Sequence, residues 1–495
     1  MLGNFIPTGY SMESLPPELI SQVLDFIIPA TGSRRWPEIK LAGYATLSRR
    51  WQAFIEPCTF SDISINDPKR LEEFQQIISI SHRRSYVKKI YLRVKLESYD
   101  EEARARFETD EEHQRNNKIF NSTISALFRI LADWPKEAGI ELGISAWCPS
   151  DYCDRQRRLA AAMWRGNDLL GWRYEKSYLE FSRTTTDSEC PPVHAVTYLS
   201  VEGLRDERPI EPASSVLIAL KLPQLNRVHL MMKDEWRRDK QTRQRLRNEF
   251  ARHLHLLPAS VQHFHLQFQY IAPRDQNYPP PDITKDGTLL SSHLQDLSLR
   301  LEFLHLAGSC VISPELFWPL NPDENLPNLP FWPHLMDVFV EYIEVSPSGQ
   351  WLLERDPRET PDSHSEGELS DEEDNYPENV RVPIEHRKLK LFRFMIIASH
   401  ADRFYTAAGR AASRMPKLRQ MCIENIDWPR YSLEYEVRAG TAKLTWRNGY
   451  IRDDPHETNM LGREEQSKRV YQPDEEVFEQ WRKAALQHTG RILRL

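Results

Sequence analysis

The sequence predicts an α/β protein in which a short helical module at the N-terminus leads into an irregular solenoid of alternating strands and helices. Three observations carry that expectation. Seven segments fit the frame L-x-x-L-x-L with aliphatic residues or Phe at the fixed positions, from Val87-Ile90-Leu92 to Leu418-Met421-Ile423. Pro223, Pro258, Pro333 and Pro416 each stand two or three residues ahead of a frame, where a loop ends and a strand begins. The stretches between frames have helical rather than alternating apolar spacing.

The helical module comes first. Ser14 offers a cap, Pro16 and Pro17 occupy the first turn and Glu18 follows near the positive end of the helix. Leu19, Val23, Phe26 and Ile27 recur at helical spacing beside Ile20 and Leu24, and Pro29 ends the run. A second stripe of Leu41, Tyr44, Ala45, Leu47, Trp51, Phe54 and Ile55 predicts another helix, up to Pro57. Two such helices are too small a unit to bury both apolar faces against each other, so surplus apolar surface implies a partner.

The body follows. Its remaining frames are Val196-Leu199-Val201, Leu225-Val228-Leu230, Val261-Phe264-Leu266, Leu301-Leu304-Leu306 and Leu335-Val338-Val340. Frame starts at 196, 225, 261, 301 and 335 are 29, 36, 40 and 34 residues apart, the range of an irregular leucine-rich solenoid. Chance supplies roughly as many matches at this composition, so the frame needs the proline and helix context. Residues 234–257 read as a helix with Trp236, Leu246, Phe250 and Leu254 on one side and arginines on the other. The position eight residues beyond the start of the frame, Asn or Cys in regular leucine-rich repeats, is Lys233, Gln269, Ser309 and Ile343 here, which leaves a less regular α/β body as the alternative. An 83-residue step from 335 to 418 holds an insertion. Within it, residues 354–378 combine prolines and serines with the acidic run Asp371-Glu372-Glu373-Asp374 and read as a disordered loop. Asp474-Glu475-Glu476 then opens a last helix with Val477, Trp481 and Ala484 on one side, placed to close the open end of the body.

The expected division is a disordered start over residues 1–11, a helical module over 12–60, a repeat body over 61–350, an acidic insertion over 351–382 and the end of the body over 383–495. Met12 is a second candidate start. Its 495 residues, 40% hydrophobic and 28% charged, describe a folded chain rather than a disordered one, and a net charge of -7 gives no global field for nucleic acid or an anionic membrane. Six cysteines without a C-x-x-C pair read as reduced thiols, and neither a secretory leader nor a run of about 18 apolar residues occurs. A cytoplasmic or nuclear location is expected.

Catalytic punctuation is missing. The eighteen glycines include no G-x-G pair, no Gly-Lys and no G-x-S-x-G, so nucleotide loops and a nucleophile elbow are absent. His456-Glu457 lacks the second His of a zincin helix. His253 with His255, and His263 with His265, are the residual metal candidates, because an H-x-H pair on a strand points both rings to one face. No Cys or carboxylate nearby completes a ligand set, so strand alternation is the simpler reading. No metal, cofactor or catalytic activity is expected. Basic clusters at Arg83-Arg84 with Lys88-Lys89, and at Arg237-Arg238 with Arg243, Arg245 and Arg247, read as solvated helix faces rather than a nucleic-acid site.

Leu15-Pro16, Glu18-Leu19, Val23-Leu24 and Ile27, followed by Leu41 and Leu47-Ser48-Arg49-Arg50-Trp51, resemble the F-box. That resemblance implies docking onto the Skp-type adaptor of a cullin ubiquitin ligase through Leu15, Pro16, Glu18, Leu19, Ile20, Val23, Leu24 and Ile27, with Trp51 buttressing the second helix. The loop from Ile28 to Lys40 is longer than the usual pattern. Val87-Lys-Lys-Ile-Tyr-Leu, Pro314-Glu-Leu-Phe-Trp-Pro, Ala411-Ala-Ser-Arg-Met-Pro-Lys-Leu-Arg and Trp481 extend the likeness to fungal F-box proteins with a long uncharacterised C-terminal region. The implied function is a substrate-recognition subunit that selects an unidentified protein through its repeat body, without enzymatic chemistry or membrane contact of its own. An adaptor-bound scaffold, or a free binding protein without ligase role, is the alternative. Ser370 directly before the acidic run, and Ser365 with Glu368 three residues on, resemble acid-directed phosphorylation sites.

Overall fold

In the computed structural model, residues 16, 19, 41–46, 48–104, 106–152, 173–174, 176–182, 189–203, 207–234, 240–284, 289–319, 329–355, 390–425, 431–447, 471–491 and 493 are described. They form an α/β fold around a large, mostly parallel sheet. Its strands are β1 (Asp62–Ile65), β2 (Lys89–Lys95), β3 (Ile140–Trp147), β4 (Val196–Glu202), β5 (Arg227–Asp234), β6 (His263–Tyr270), β7 (Phe303–Cys310) and β8 (Asp337–Tyr342). After β9 (Leu353–Arg355) and β10 (Arg393–Ile396), which pair with each other, β11 (Gln420–Asn425), β12 (Ser432–Arg438) and β13 (Thr441–Arg447) complete it. The eleven strands lie in the order β1-β2-β3-β4-β5-β6-β7-β8-β11-β12-β13. Every pairing from β1 to β11 is parallel, and β12 and β13 add an antiparallel hairpin.

All seven frames end in strands of this sheet, and the register explains why. Ile90, Leu142, Leu199, Val228, Phe264, Leu304, Val338 and Met421 stand side by side, and so do Leu92, Ile144, Val201, Leu230, Leu266, Leu306, Val340 and Ile423. The last two fixed positions of each frame are therefore two continuous apolar rows, all buried in one core. Each such side chain contributes about 1.5–3 kcal/mol by leaving water.

Helices cover that face. They are α1 (Arg49–Ser61), α2 (Pro68–Ile78), α3 (Asp110–Leu131), α4 (Pro212–Leu220), α5 (Lys240–His253), α6 (Leu289–Ser298), α7 (Ala398–Ala412) and α8 (Glu475–Thr489). The start of α3 is set by a capping box: Thr109 Oγ1 accepts from the Glu112 amide at 3.3 Å, and Glu112 accepts from the Thr109 amide at 2.9 Å. Helix α8 begins at the expected Asp474 cap and buries Val477, Trp481 and Ala484 against α7 and the last hairpin. Among the described residues, no helix is long and apolar enough to cross a membrane.

Three sequence expectations need correction. The helix expected from Leu41 to Pro57 is a 3₁₀ turn over Leu41–Thr46 followed by α1, because Ser48 accepts a hydrogen bond from the Trp51 amide and starts a new helix. Pro57 does not end α1: it removes one donor, while buried Trp51, Ile55 and Glu56 hold the helix in place. The arginines of α5 are not all solvated. Arg243 donates to Asp234 Oδ1 at 2.7 Å and lies over the Tyr270 ring, and Arg247 donates to the Val311 carbonyl, so both are buried at the strand ends. Arg237 and Arg238 lie outside the described residues.

At the carboxyl ends of β2–β4 a polar cluster is buried as well. Arg208 and Glu108 form an ion pair with neither side chain exposed, Glu108 also accepts from Asn116 at 2.7 Å, and the Arg208 guanidinium sits 3.6 Å from the Tyr174 ring centre. Asp151 beside it accepts from the Tyr99 and Tyr174 hydroxyls.

Candidate functional site

Alternation along a strand sends every second side chain away from the core. On the face opposite the helices, the register lines up Tyr91, Gly143, Ser200, His229, His265, His305, Phe339 and Cys422, one per strand from β2 to β11. Each is the residue between the last two fixed positions of a frame, except Gly143 on β3, where Gly139 stands at the first frame position and hides the strand from the pattern.

The centre of this row is a stack of imidazoles. His229 and His265 have ring centres 3.9 Å apart, His265 and His305 4.0 Å, both nearly parallel, and Phe339 closes the stack edge-on at 4.5 Å. Burial lowers the proton affinity of all three, and for His265 the two flanking imidazoles add to it, bringing its pKa to about 3. The stack is neutral near pH 7. His263 lies alongside, over Phe303. It points to the same face as His265, as the H-x-H spacing predicts. His253 and His255 do not: they sit at the end of α5 and in the following 3₁₀ turn, each bonded through Nδ1 to a main-chain carbonyl at 2.6 Å. Among the described residues, no three His, Cys, Asp or Glu side chains are placed to hold a metal ion.

Both ends of the face are charged. Towards β2, the Tyr91 ring lies over Gly143, where an added Cβ would stand 2.5 Å from it, and its hydroxyl donates to Ser145 at 3.0 Å. Around it, Lys89 and Arg227 share Glu141 at 3.4 and 3.0 Å, and Arg93 pairs with Glu207 at 2.8 Å. Towards β12 stand Glu341, Glu424, Glu434 and Glu436, with Arg438 paired to Glu436 and Lys443 opposite it on β13. Burial, then the Glu424 and Glu434 carboxylates, push the Cys422 thiol up to about 12, so it stays protonated and a poor nucleophile. Gly308, at φ 73°, lets its amide reach Glu341 at 2.7 Å. The arrangement is a long polar and aromatic surface with neutral histidines.

The residues expected at the adaptor interface are only partly in view. Pro16 and Leu19 are exposed, Leu19 by 43%, and the Leu19 amide donates to the Pro16 carbonyl at 3.0 Å. Trp51 is buried. Leu15, Glu18, Ile20, Val23, Leu24 and Ile27 lie outside the described residues, as do Ser365 and Ser370. Helix α1 is tied to the body through Glu56, which accepts from Arg83 at 2.5 Å and from Gln52 at 2.8 Å; burial opposes its ionisation, but these bonds outweigh that and lower its pKa.

The sequence reading singled out His265 but missed His229, His305, Phe339 and the row as a whole, although the frames contain the signal. Aligning them and reading the residue between their last two fixed positions gives Tyr, Ser, His, His, His, Phe and Cys in order. No protein-family model matches the chain, and no curated protein matches it.

Proposed function

We propose that this chain is a non-catalytic substrate receptor of the F-box type, in which residues 12–60 hold a Skp-type adaptor and the open sheet face of an irregular leucine-rich-repeat-like solenoid selects a protein. The observation that carries the binding role is the in-register row from Tyr91 to Cys422, a surface on which each strand contributes one side chain per row. Neighbouring strands are about 4.8 Å apart and a helix rises about 5.4 Å per turn, so a helix laid across the strands would offer roughly one side chain to each. Aromatic and imidazole groups at the centre with charged groups at the ends match the anatomy of protein interfaces. The solenoid reading draws support from strands that neighbour one another in sequence order through β8 and from frames that fall in register.

The F-box reading rests on the Leu-Pro start and the Ser-Arg-Arg-Trp close. The exposed Leu19 and the firm seat of α1 on Arg83 support it, since an adaptor held on a rigid helix presents the body in a fixed orientation. The test is co-purification of the intact protein from cells. Recovery of a Skp-type adaptor and a cullin is expected, and Leu15→Ala with Pro16→Ala should weaken adaptor capture at least about tenfold while the body stays folded. Adaptor without cullin would favour a scaffold. Recovery of neither, or unchanged capture by the double variant, would overturn the assignment.

A further inference from the structure

A cavity of about 260 Å³ opens outside the carboxyl ends of β7 and β8, between the 3₁₀ turn Pro314–Leu316, the segment from Tyr342 to Leu352 and the first turns of α7. Crevices at the carboxyl ends of parallel strands are where open α/β sheets bind ligands. This one is smaller than the usual range of about 300–1,000 Å³ for drug-sized pockets, so it suits a small molecule.

Its walls are mostly apolar and aromatic, with Ile312, Leu352, Ile396, Phe404 and the Tyr342–Tyr405 pair. Phe404 packs edge-on against Phe317, and its ring centre lies 5.6 Å from that of Tyr342. Against these walls stands Glu315. It is 7% exposed, its Oε2 is shielded from solvent, and no described residue donates to that oxygen. Ser313, also 7% exposed, leaves its Oγ in the same condition two residues away. A buried carboxylate without a donor costs folding free energy, and such a group calls for a cation or a strong donor. Glu315 is the only carboxylate among the described lining residues. The positive group that also lines the cavity, Arg403, is exposed and screened by water at the rim. His400 beside it is kept neutral by burial and by Arg403.

We propose that this cavity binds a small organic ammonium ion, with the ammonium group on the Glu315 carboxylate and an apolar body against Phe404, Tyr342 and Leu352. A carboxylate supplies the charge-assisted hydrogen bond, the aromatic faces attract a cation, and the apolar walls reject a hydrated inorganic ion. The site is separate from the sheet face and does not depend on the receptor assignment.

The experiment is calorimetric titration and thermal shift of the full chain with benzylamine, 2-phenylethylamine and hexylamine, with 2-phenylethanol and phenylacetate as isosteric controls. At least one amine should bind and raise the melting temperature, with the alcohol at least about tenfold weaker and the anion without effect. Glu315→Gln should weaken the amine at least about tenfold, bringing it level with the alcohol, and should raise the melting temperature of the ligand-free protein by removing an uncompensated charge. Phe404→Leu, which keeps the wall apolar, should weaken the amine more than the alcohol. The proposal is overturned if none of the three amines binds, if amine and alcohol bind alike, or if Glu315→Gln leaves amine affinity unchanged. It is overturned equally if that variant destabilises the ligand-free protein, because the carboxylate would then already be paired within the chain.

Discussion

Replacing Arg208 by Met tests how the carboxyl ends of β2–β4 are held. In the wild type the Arg208 guanidinium meets Glu108, the Ser177 carbonyl at 3.2 Å and hydroxyl at 3.1 Å, and the face of Tyr174 at 3.6 Å, with no exposure at either end of the ion pair. Arg208→Met leaves Glu108 a buried carboxylate with Asn116 as its remaining donor. Removing one member of a buried pair costs about 3–5 kcal/mol. The lost cation–π contact adds up to about 2 kcal/mol, and burial of the Met side chain returns a similar amount. The net expectation is about 3–5 kcal/mol, a large share of a typical stability of about 5–15 kcal/mol. Urea unfolding followed by tryptophan fluorescence measures it. The double variant Arg208→Met with Glu108→Gln should recover at least about 2 kcal/mol, since the second change removes the stranded charge. A single-variant cost below about 1 kcal/mol, or a double variant whose cost equals the sum of the two singles, would refute the reasoning.

Two further outcomes follow from the packing and from the histidine stack. Gly409→Ala places a Cβ 2.9 Å from the Gln480 Cβ and 3.2 Å from the Trp481 indole nitrogen, so it should force α7 and α8 apart and cost about 1–3 kcal/mol by thermal or urea unfolding, in spite of alanine's better helix propensity. Because His229, His265 and His305 are all depressed, the unfolded chain takes up protons below about pH 6.5 that the folded stack refuses; the stack's contribution is complete above that pH and is lost as pH falls towards 3, and His265→Phe should flatten the slope of stability against pH in that window, whereas an unchanged slope would count against the stack.

The sheet was legible because its signal is local and repeated. A frame needs only six consecutive residues, and Pro223, Pro258, Pro333 and Pro416 announced four of the strands. Strand β3 escaped because Gly139, which takes φ 61° in the turn before it, replaces the apolar residue at the first frame position. The histidine stack escaped for a different reason. His229, His265 and His305 are separated by 36 and 40 residues, and only strand register brings their rings within 4 Å. Arg243 and Arg247 sit in a segment so rich in arginine that a solvated face was the natural reading; the acceptors that bury them, Asp234 and the Val311 carbonyl, come from other strands' ends. Of the residues in the F-box-like motif, Trp51 is buried and Pro16 and Leu19 are exposed, while Leu15, Glu18, Ile20, Val23, Leu24 and Ile27 lie outside the described residues.

Four buried carboxylates near the carboxyl ends of the strands show why one of them is different. Glu108 has Arg208 and Asn116, Asp151 has two tyrosine hydroxyls, and Asp234 has Arg243. In each case the chain supplies at least one donor to the carboxylate, the usual resolution for a charge withdrawn from water, although Asp234 Oδ2 is left without one among the described residues. Glu315 lies in a short turn between Ser313 and Leu316, its Oε2 meets no described donor, and the space before it is lined by aromatic rings. Paired carboxylates stitch loops to the sheet, and substituting them tests stability. A carboxylate beside a cavity with no donor from the described chain leaves its pairing to a cation from outside, so the same conservative change to Gln should be destabilising at Glu108 and stabilising at Glu315. That opposition in sign separates a structural charge from a binding one in two measurements on the same protein.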